Sequence, residues 1–212
     1  MLLTAYLLGS IPTGFVVARA KGVDIRTVGS GNIGATNVFR ILGKTAGALV
    51  LLADAAKGWL AVFVADRFFA GWGSPGAGPA RLEWFSIGAG IAAILGHNYT
   101  CWLRFKGGKG VATSAGVLVA LVPLALLVGL GIWIVIFAAT RYVSLASISA
   151  SLALPFAVWV LGYSAALIGV TGALALLATY KHKSNIKRLL SGTENRITFS
   201  KARGSTPPKP TA

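Results

Sequence analysis

Long apolar runs dominate this sequence and constrain its fold more than any other feature. A helix needs about 20 predominantly apolar residues to cross a hydrocarbon core of about 30 Å. Runs of suitable length lie at residues 2–20, 44–69, 84–103, 143–162 and 164–180. Because the lipid interior offers no water to backbone polar groups, such runs must be helical. We therefore predict an all-α, polytopic membrane bundle.

The apolar run at residues 111–140 is too long for one ordinary span and contains Pro123 near its middle. Proline removes a helical hydrogen bond and clashes with the preceding turn. The run therefore predicts a short helix over 111–122 and a second helix over 124–140.

The first apolar run, Leu2–Ala18, has no basic residue before it, and its cations, Arg19 and Lys21, follow it. A signal peptide has the opposite order. We interpret the run as a first membrane helix whose N-terminus lies outside the cytoplasm.

The basic residues indicate how often the chain crosses. Its 212 residues carry a net charge of +15 although only 12% are charged, and the cations punctuate apolar runs rather than forming one patch, so we expect no nucleic-acid partner. Lys and Arg mark the cytoplasmic face. If residues 19–44, 104–109, 141 and 181–212 all lie on one side of the membrane, that side holds 17 of the 20 Lys and Arg residues. This predicts seven transmembrane helices and a cytoplasmic C-terminus; five spans remain open if Arg141 lies elsewhere.

Asp54 and Lys57 lie three residues apart inside the second apolar run. On a helix they share a face and neutralise each other. We interpret them as a structural ion pair beside a helix break at Gly58 rather than as a proton pathway.

Residues 1–199 are predicted to form a single membrane domain, and the polar, proline-rich residues 200–212 a disordered tail.

Three polar clusters fall on the predicted cytoplasmic side. The first is VGSGNIGATNVFR, at Val28–Arg40. Its glycines permit close backbone approach to a phosphate, and its second half predicts a helix start. An arginine there could clamp two anionic oxygens, although a plain glycine-rich turn with a positive-inside arginine explains this segment equally well. The candidate residues are Ser30, Gly31, Asn32, Asn37 and Arg40.

The second cluster is GHNYTCWLRFKGGKGVAT, at Gly96–Thr113. It is not a nucleotide-binding P-loop, because Lys109 is followed by Gly110 and no strand precedes it. Three glycines among lysines still favour an anion-binding backbone nest over a snorkelling basic belt. The candidates are Lys106, Gly107, Gly108, Lys109 and Gly110. For His97, a buried hydrogen-bonding histidine and a catalytic one remain alternatives.

The third cluster is HKSNIKRLLSGTEN, at His182–Asn195. On a helix, His182 and Asn185 share a stripe with Ile186 and Leu189, whereas Lys183 and Lys187 lie on a solvated or headgroup face. A basic juxtamembrane helix would not require His and Asn on its apolar stripe. Glu194 is expected to pair with an active-site cation.

Other chemistry is disfavoured by spacing. The two histidines have no Cys, Asp or Glu at metal-ligand spacing in the sequence, and a Ser-His-Asp triad lacks a convincing acid. We expect no metal and no cofactor. The clusters together predict a cytoplasm-facing pocket for anions.

The three motifs, in this order, resemble those of the bacterial acyl-phosphate:glycerol-3-phosphate acyltransferase family, over essentially the whole chain to about Glu194. The resemblance implies a multi-pass enzyme of the bacterial inner membrane that transfers an acyl group from acyl phosphate to glycerol 3-phosphate in the first step of phospholipid synthesis. It implies catalytic roles for Ser30, His182 and Asn185. It implies substrate binding by the remaining candidates, together with Arg188 and Glu194.

The general base stays open at this point. An H-x-x-x-x-D pair is absent, since the fifth residue after His97 is Trp102 and after His182 is Lys187. Either His182 or a phosphate oxygen of a substrate takes the proton, and we favour the latter.

We expect the protein to be a monomer. A small organic-phosphate transporter is the main rival, but no internal repeat is present.

Overall fold

The computed structural model describes residues 1–72 and 78–197, and within them the chain forms ten α-helices and no strand. The predicted tail at 200–212 lies outside these residues. The helices are α1 (Leu2–Ser10), α2 (Thr13–Arg19), α3 (Ala35–Leu42), α4 (Lys44–Trp72), α5 (Pro79–Asn98), α6 (Val111–Leu121), α7 (Pro123–Thr140), α8 (Val143–Val160), α9 (Ala165–Lys181) and α10 (Lys183–Leu190); a 3₁₀ turn spans Cys101–Leu103.

The helices confirm the all-α membrane bundle, but their length and composition alone do not give seven spans. In the described part of the chain, four segments are long and apolar enough to cross a membrane: Leu2–Arg19, Lys44–Phe68, Pro123–Thr140 and Val143–Val160. A fifth arises if α9 and α10, bent by 60°, count as one span. Helix α6 has 11 residues, and α5 carries Arg81 and Glu83 in its first turns.

Prolines divide two of the apolar runs. Pro123 is the first residue of α7, which confirms the predicted split of the run at 111–140. Pro12 separates α1 from α2 and leaves carbonyls without helical partners. Thr100 Oγ1 donates to Ser10 O at 2.6 Å, and Lys57 Nζ donates to Ile11 O at 2.8 Å. The carbonyl oxygens at the break therefore accept hydrogen bonds from α4 and from the segment after α5.

The predicted break at Gly58 is wrong, because α4 continues through it. Gly58 instead permits a close approach of α6: an added Cβ would lie 2.2 Å from Thr113 O. From the other side, a Cβ on Gly116 would lie 1.8 Å from Ala55 O. The two helices thus pack backbone to backbone through small residues, as is common in membranes.

Four clusters of buried apolar residues lie in the described part of the bundle, and two of them bear most on the position of the site. One cluster contains residues of α5, α6, α7, α8 and α9 and is centred on Ile87, Val122 and Val158. The second core packs α2 and α3 on α4 around Ala18 and Val38. The second core fixes the segment between α2 and α3 at the same end of the bundle as the segment before α6. The site is built at that end.

Candidate active site

Asn37, on α3, organises the first cluster from within. Its Oδ1 accepts from Ser30 N at 2.9 Å, and its Nδ2 lies 3.0–3.2 Å from the carbonyls of Ile25, Val28 and Asn32. Gly29 and Gly31 have φ of 59° and 67°, which glycine adopts freely. The amide of Asn37 therefore shapes the turn that presents Ser30 and Asn32.

The second cluster folds back onto the end of α5. Gly107 N donates to Asn98 O at 3.2 Å, and Gly108 N donates to His97 O at 3.0 Å. An added Cβ on Gly107 would lie 2.0 Å from His97 O, and one on Gly108 would lie 2.2 Å from His97 Nε2. Only glycine fits at these two positions. We call residues Gly107–Gly110 the glycine loop.

The third cluster places a chain of polar contacts across the site. Lys109 Nζ donates to Asn185 Oδ1, and Asn185 Nδ2 donates to Glu194 Oε1 at 2.6 Å. Arg188 Nε donates to Glu194 Oε2 at 2.7 Å, and Ser144 Oγ donates to Oε1 at 2.9 Å. Glu194 thus binds Asn185 and Arg188 and orients both.

Two cavities lie side by side at this end of the bundle. The first, of about 300 Å³, is polar and is lined by Ser30, Asn32, Tyr99, Gly107, Gly108, Lys109, Tyr180, Lys181, Lys183, Ser184, Asn185 and Arg188. The second, of about 390 Å³, is a groove with a polar mouth and apolar walls. Four residues line both: Ser30, Asn32, Lys109 and Asn185.

The groove descends between the helices that follow the site. Its mouth includes Arg40, His182 and Glu194. Its walls come from α6, α7, α8 and α9 and include Leu118, Leu126, Leu130, Trp133, Leu154 and Leu174. An elongated apolar group can therefore enter beside a cationic cavity.

Three helix N-termini add positive potential to both cavities. Residues 34–36 at the start of α3 and 110–112 at the start of α6 line the groove. Residues 183–185 at the start of α10 line the polar cavity. The first amides of a helix have no partner within it and favour anions. The backbone therefore reinforces the lysines and arginines.

Burial tunes the titrating groups. It lowers the pKa of Lys109 to about 8, with Arg188 and Arg40 acting in the same direction and Glu194 opposing them. Burial and the charge of Lys109 lower the pKa of His182 to about 4. Burial opposes the charge of Glu194, but hydrogen bonds from Asn185, Arg188 and Ser144 outweigh it and lower its pKa. At neutral pH, His182 is neutral and Glu194 is charged.

Most of the predicted site residues line the two cavities. The polar cavity takes Ser30, Asn32, Gly107, Gly108, Lys109, Asn185 and Arg188, and the groove also takes Asn37, Arg40, Gly110, His182 and Glu194. Gly31 and Lys106 line neither, and the side chain of Lys106 is exposed. Their roles, like those of the others, stay predictions.

Sequence reasoning missed five residues that line the polar cavity: Tyr99, Tyr180, Lys181, Lys183 and Ser184. Lys183 is exposed, in agreement with the predicted solvated or headgroup face, and it also lines the polar cavity. A 60° bend between α9 and α10 immediately precedes this residue, and no local pattern signals the bend. Lys181 Nζ lies 4.4 Å from the centre of the Tyr99 ring, a cation–π contact that joins two of the clusters.

An all-helical membrane protein whose cationic cavity shares a wall with an apolar groove has the architecture of an integral membrane enzyme of lipid metabolism. Residues 1–192 match the sequence profile described as glycerol-3-phosphate acyltransferase. Together with the relatives below, this match shows that the chain belongs to the glycerol-3-phosphate acyltransferase family and is a membrane acyltransferase.

Relatives of the same name cover almost the full length. The glycerol-3-phosphate acyltransferase of Geobacter metallireducens is 52% identical over 197 residues, covering 93% of this chain and 96% of the relative. That of Aquifex aeolicus is 44% identical over 197 residues, covering 93% and 97%. The crystal structure of PlsY (YgiH), an integral membrane glycerol 3-phosphate acyltransferase, in its glycerol 3-phosphate form, has a TM-score of 0.82 at 43% identity, covering 93% and 94%. Its lysophosphatidic acid form has a TM-score of 0.80.

Proposed function

We propose that this protein transfers a fatty acyl group from acyl phosphate to the primary hydroxyl of glycerol 3-phosphate, giving lysophosphatidic acid and inorganic phosphate. The observation that carries the proposal is the wall shared by the polar cavity and the apolar groove. In this proposal a soluble phosphorylated acceptor and a lipid-soluble donor meet beside the four side chains that line both cavities. The solved relative is described in forms with glycerol 3-phosphate and with lysophosphatidic acid.

The chemistry of the lining suits two phosphates. Lys109, Arg188 and Lys181 supply positive charge in the polar cavity, and Arg40 supplies it at the groove mouth. Arg40 Nε is buried without a hydrogen-bond partner among the described residues, so a donor is free for a ligand oxygen. Acyl phosphate is the proposed donor because its phosphate would lie against the glycine loop while its chain extends into the groove.

The reaction needs no covalent enzyme intermediate, because a mixed anhydride is already activated. The acceptor hydroxyl oxygen forms a bond to the acyl carbon, and the bond from that carbon to the phosphate oxygen breaks. Phosphate leaves with the bonding electron pair. Lys109 offsets the charge of the leaving group, and hydrogen-bond donors at the shared wall stabilise the developing oxyanion.

A phosphate oxygen of a substrate takes the hydroxyl proton in this proposal. His182 Nδ1 lies 2.7 Å from Ala178 O, so this nitrogen carries the hydrogen and Nε2 keeps its lone pair. With a pKa of about 4, that lone pair is a weak base but an adequate hydrogen-bond acceptor. A phosphate monoester, with a second pKa of about 6, is the stronger base near neutrality. His182 therefore orients the hydroxyl.

We also propose that seven segments cross the inner membrane, with the N-terminus outside and the site facing the cytoplasm. The two shorter or more polar helices, α5 and α6, would supply the crossings that apolarity alone does not identify. The accumulation of Lys and Arg at the site's end of the bundle supports this orientation. The native single cysteine, Cys101, tests it: an impermeant thiol reagent should label inverted membrane vesicles and leave right-side-out vesicles unlabelled.

The direct test uses purified protein in detergent or proteoliposomes with acyl phosphate and glycerol 3-phosphate. We expect lysophosphatidic acid and inorganic phosphate in equal amounts. Acyl-coenzyme A as the donor serves as the comparison, and equal turnover with it would contradict the assignment of the donor. Uptake of glycerol 3-phosphate into proteoliposomes without any acylated product would instead favour the transporter.

A further inference from the structure

A cluster of buried charge lies beneath the glycine loop, and two of its members, Asp54 and His97, also line the groove, although the reaction proposed above assigns them no step. It consists of Asp54 and Lys57 on α4 and His97 on α5, each no more than 5% exposed, and we call it the buried cluster. Asp54 Oδ1 and Lys57 Nζ are 2.7 Å apart. Charges in this setting are costly unless every hydrogen-bonding group is satisfied, so their partners show what the cluster does.

Each of the three ammonium hydrogens of Lys57 faces an acceptor in the protein. One faces the carboxylate of Asp54, one is donated to Ile11 O at 2.8 Å, and one is directed to His97 Nδ1 at 3.0 Å. Since Lys57 has only donors, Nδ1 must be an acceptor, and His97 is a neutral imidazole with its hydrogen on Nε2. The ring thus has one tautomer and one orientation.

The other side of the ring contacts the glycine loop. His97 Nε2 would lie 2.2 Å from a Cβ at Gly108, and His97 O accepts from Gly108 N at 3.0 Å. Ring and carbonyl together fix the residue that immediately precedes Lys109. A displaced His97 would release this contact and shift Lys109 away from Asn185.

We propose that Asp54, Lys57 and His97 are positioning residues that fix the glycine loop so that Lys109 lies where it meets the phosphate of the acyl donor. Lys57 orients His97, Asp54 keeps Lys57 charged and in place, and His97 fixes Gly108. The substrate named here rests on the proposed function, whereas the placement of Lys109 does not.

The kinetic test is a double-mutant cycle. In His97→Ala, KM for acyl phosphate should rise at least about tenfold while KM for glycerol 3-phosphate stays within about twofold. Gly108→Ala alone should have a similar effect because its methyl group meets the ring. In the His97→Ala background, Gly108→Ala should cost less than about threefold, since the ring is gone. Additive losses, or equal changes in both KM values, would overturn the proposal.

A matched control separates positioning from general destabilisation. Thr171→Val removes another buried polar group, on α9 and lining neither cavity, at nearly constant volume. Its KM for each substrate should match the native protein. A loss of kcat in His97→Ala with both KM values unchanged would point to a smaller folded fraction or to direct chemistry, and it would count against positioning.

A second measurement does not depend on activity. Acetic anhydride labels exposed amines, and mass spectrometry compares Lys109 with the exposed Lys106 in the same chain. We expect the Lys109 to Lys106 labelling ratio to change by at least about fivefold in folded His97→Ala, because a displaced glycine loop alters the surroundings of Lys109 and leaves Lys106 exposed. An unchanged ratio would refute the positioning role. If the native protein transfers no acyl group, the proposed function fails, and this ratio still decides the role of His97.

Discussion

The described part of the molecule contains two networks in which carboxylates and cations meet, and they differ in whether their cations keep a free donor. In the buried cluster, Lys57 spends every donor on the protein. In the site, the chain from Lys109 through Asn185 and Glu194 to Arg188 borders two cavities, and Arg40 Nε has no partner in the described part of the chain. A cation whose donors all bind the protein fixes structure, whereas a cation with a free donor can bind a ligand.

Breaking the chain of contacts in the site should have the largest effect on acyl transfer. Lys109→Ala removes the cation at the shared wall, so we expect acyl transfer to fall by at least about 10³-fold, equivalent to about 4 kcal/mol, while the protein still inserts and folds. Lys187→Ala is the matched control, because Lys187 is exposed and lines neither cavity. Normal turnover by Lys109→Ala would remove the argument for an anion pocket.

Breaking the ion pair of the buried cluster should lower the stability of the folded protein. Lys57→Met leaves the Asp54 carboxylate buried without its counter-ion, which typically costs about 3–5 kcal/mol. Thermal unfolding in detergent should show a clear loss of Tm, and Asp54→Asn in the same chain should recover most of it. Equal stability of the single and double variants would indicate that the pair is not coupled.

The role of His182 can be sharpened by two substitutions. If it orients the hydroxyl without taking its proton, His182→Asn keeps a polar group at the groove mouth and should lose about tenfold in kcat, while His182→Ala loses about 10²-fold. Steady-state kinetics with saturating donor measures both. Equally inactive variants would make His182 the essential base.

The smallest expected effect is on pH dependence. Lys109, with its pKa lowered to about 8, is largely protonated at pH 7 and loses its charge as the pH rises through 8. Binding of the anionic donor should weaken in that range, so KM for acyl phosphate should rise about tenfold between pH 7 and pH 9. Lys109→Arg should move the rise to higher pH. A flat profile in the native protein would show that Lys109 does not carry the binding charge.

The order of apolar and charged residues was enough to predict most of the helices. Hydrophobic length predicted the four segments that are long and apolar enough to cross a membrane. Pro123 predicted the split between α6 and α7, and the spacing of Asp54 and Lys57 predicted their ion pair. These features are local: each depends on periodicity, ring geometry or a three-residue separation along one helix. The convergence of three separated clusters also followed from the sequence, because charge placed them at one end of the bundle.

Other features depended on contacts between distant segments. Lys106 and Lys109 are equivalent in sequence, yet the left-handed backbone at Arg104 and Phe105 turns the loop so that only Lys109 lines the cavities. Gly58 looked like a break until α6 packed on it, and His97 joined Asp54 and Lys57 only through the contact of α5 with α4. The sequence by itself determined which segments are helical and which residues carry charge. Only the tertiary structure decided which charges are satisfied by the protein and which remain for substrate, because satisfaction depends on partners that are remote along the chain.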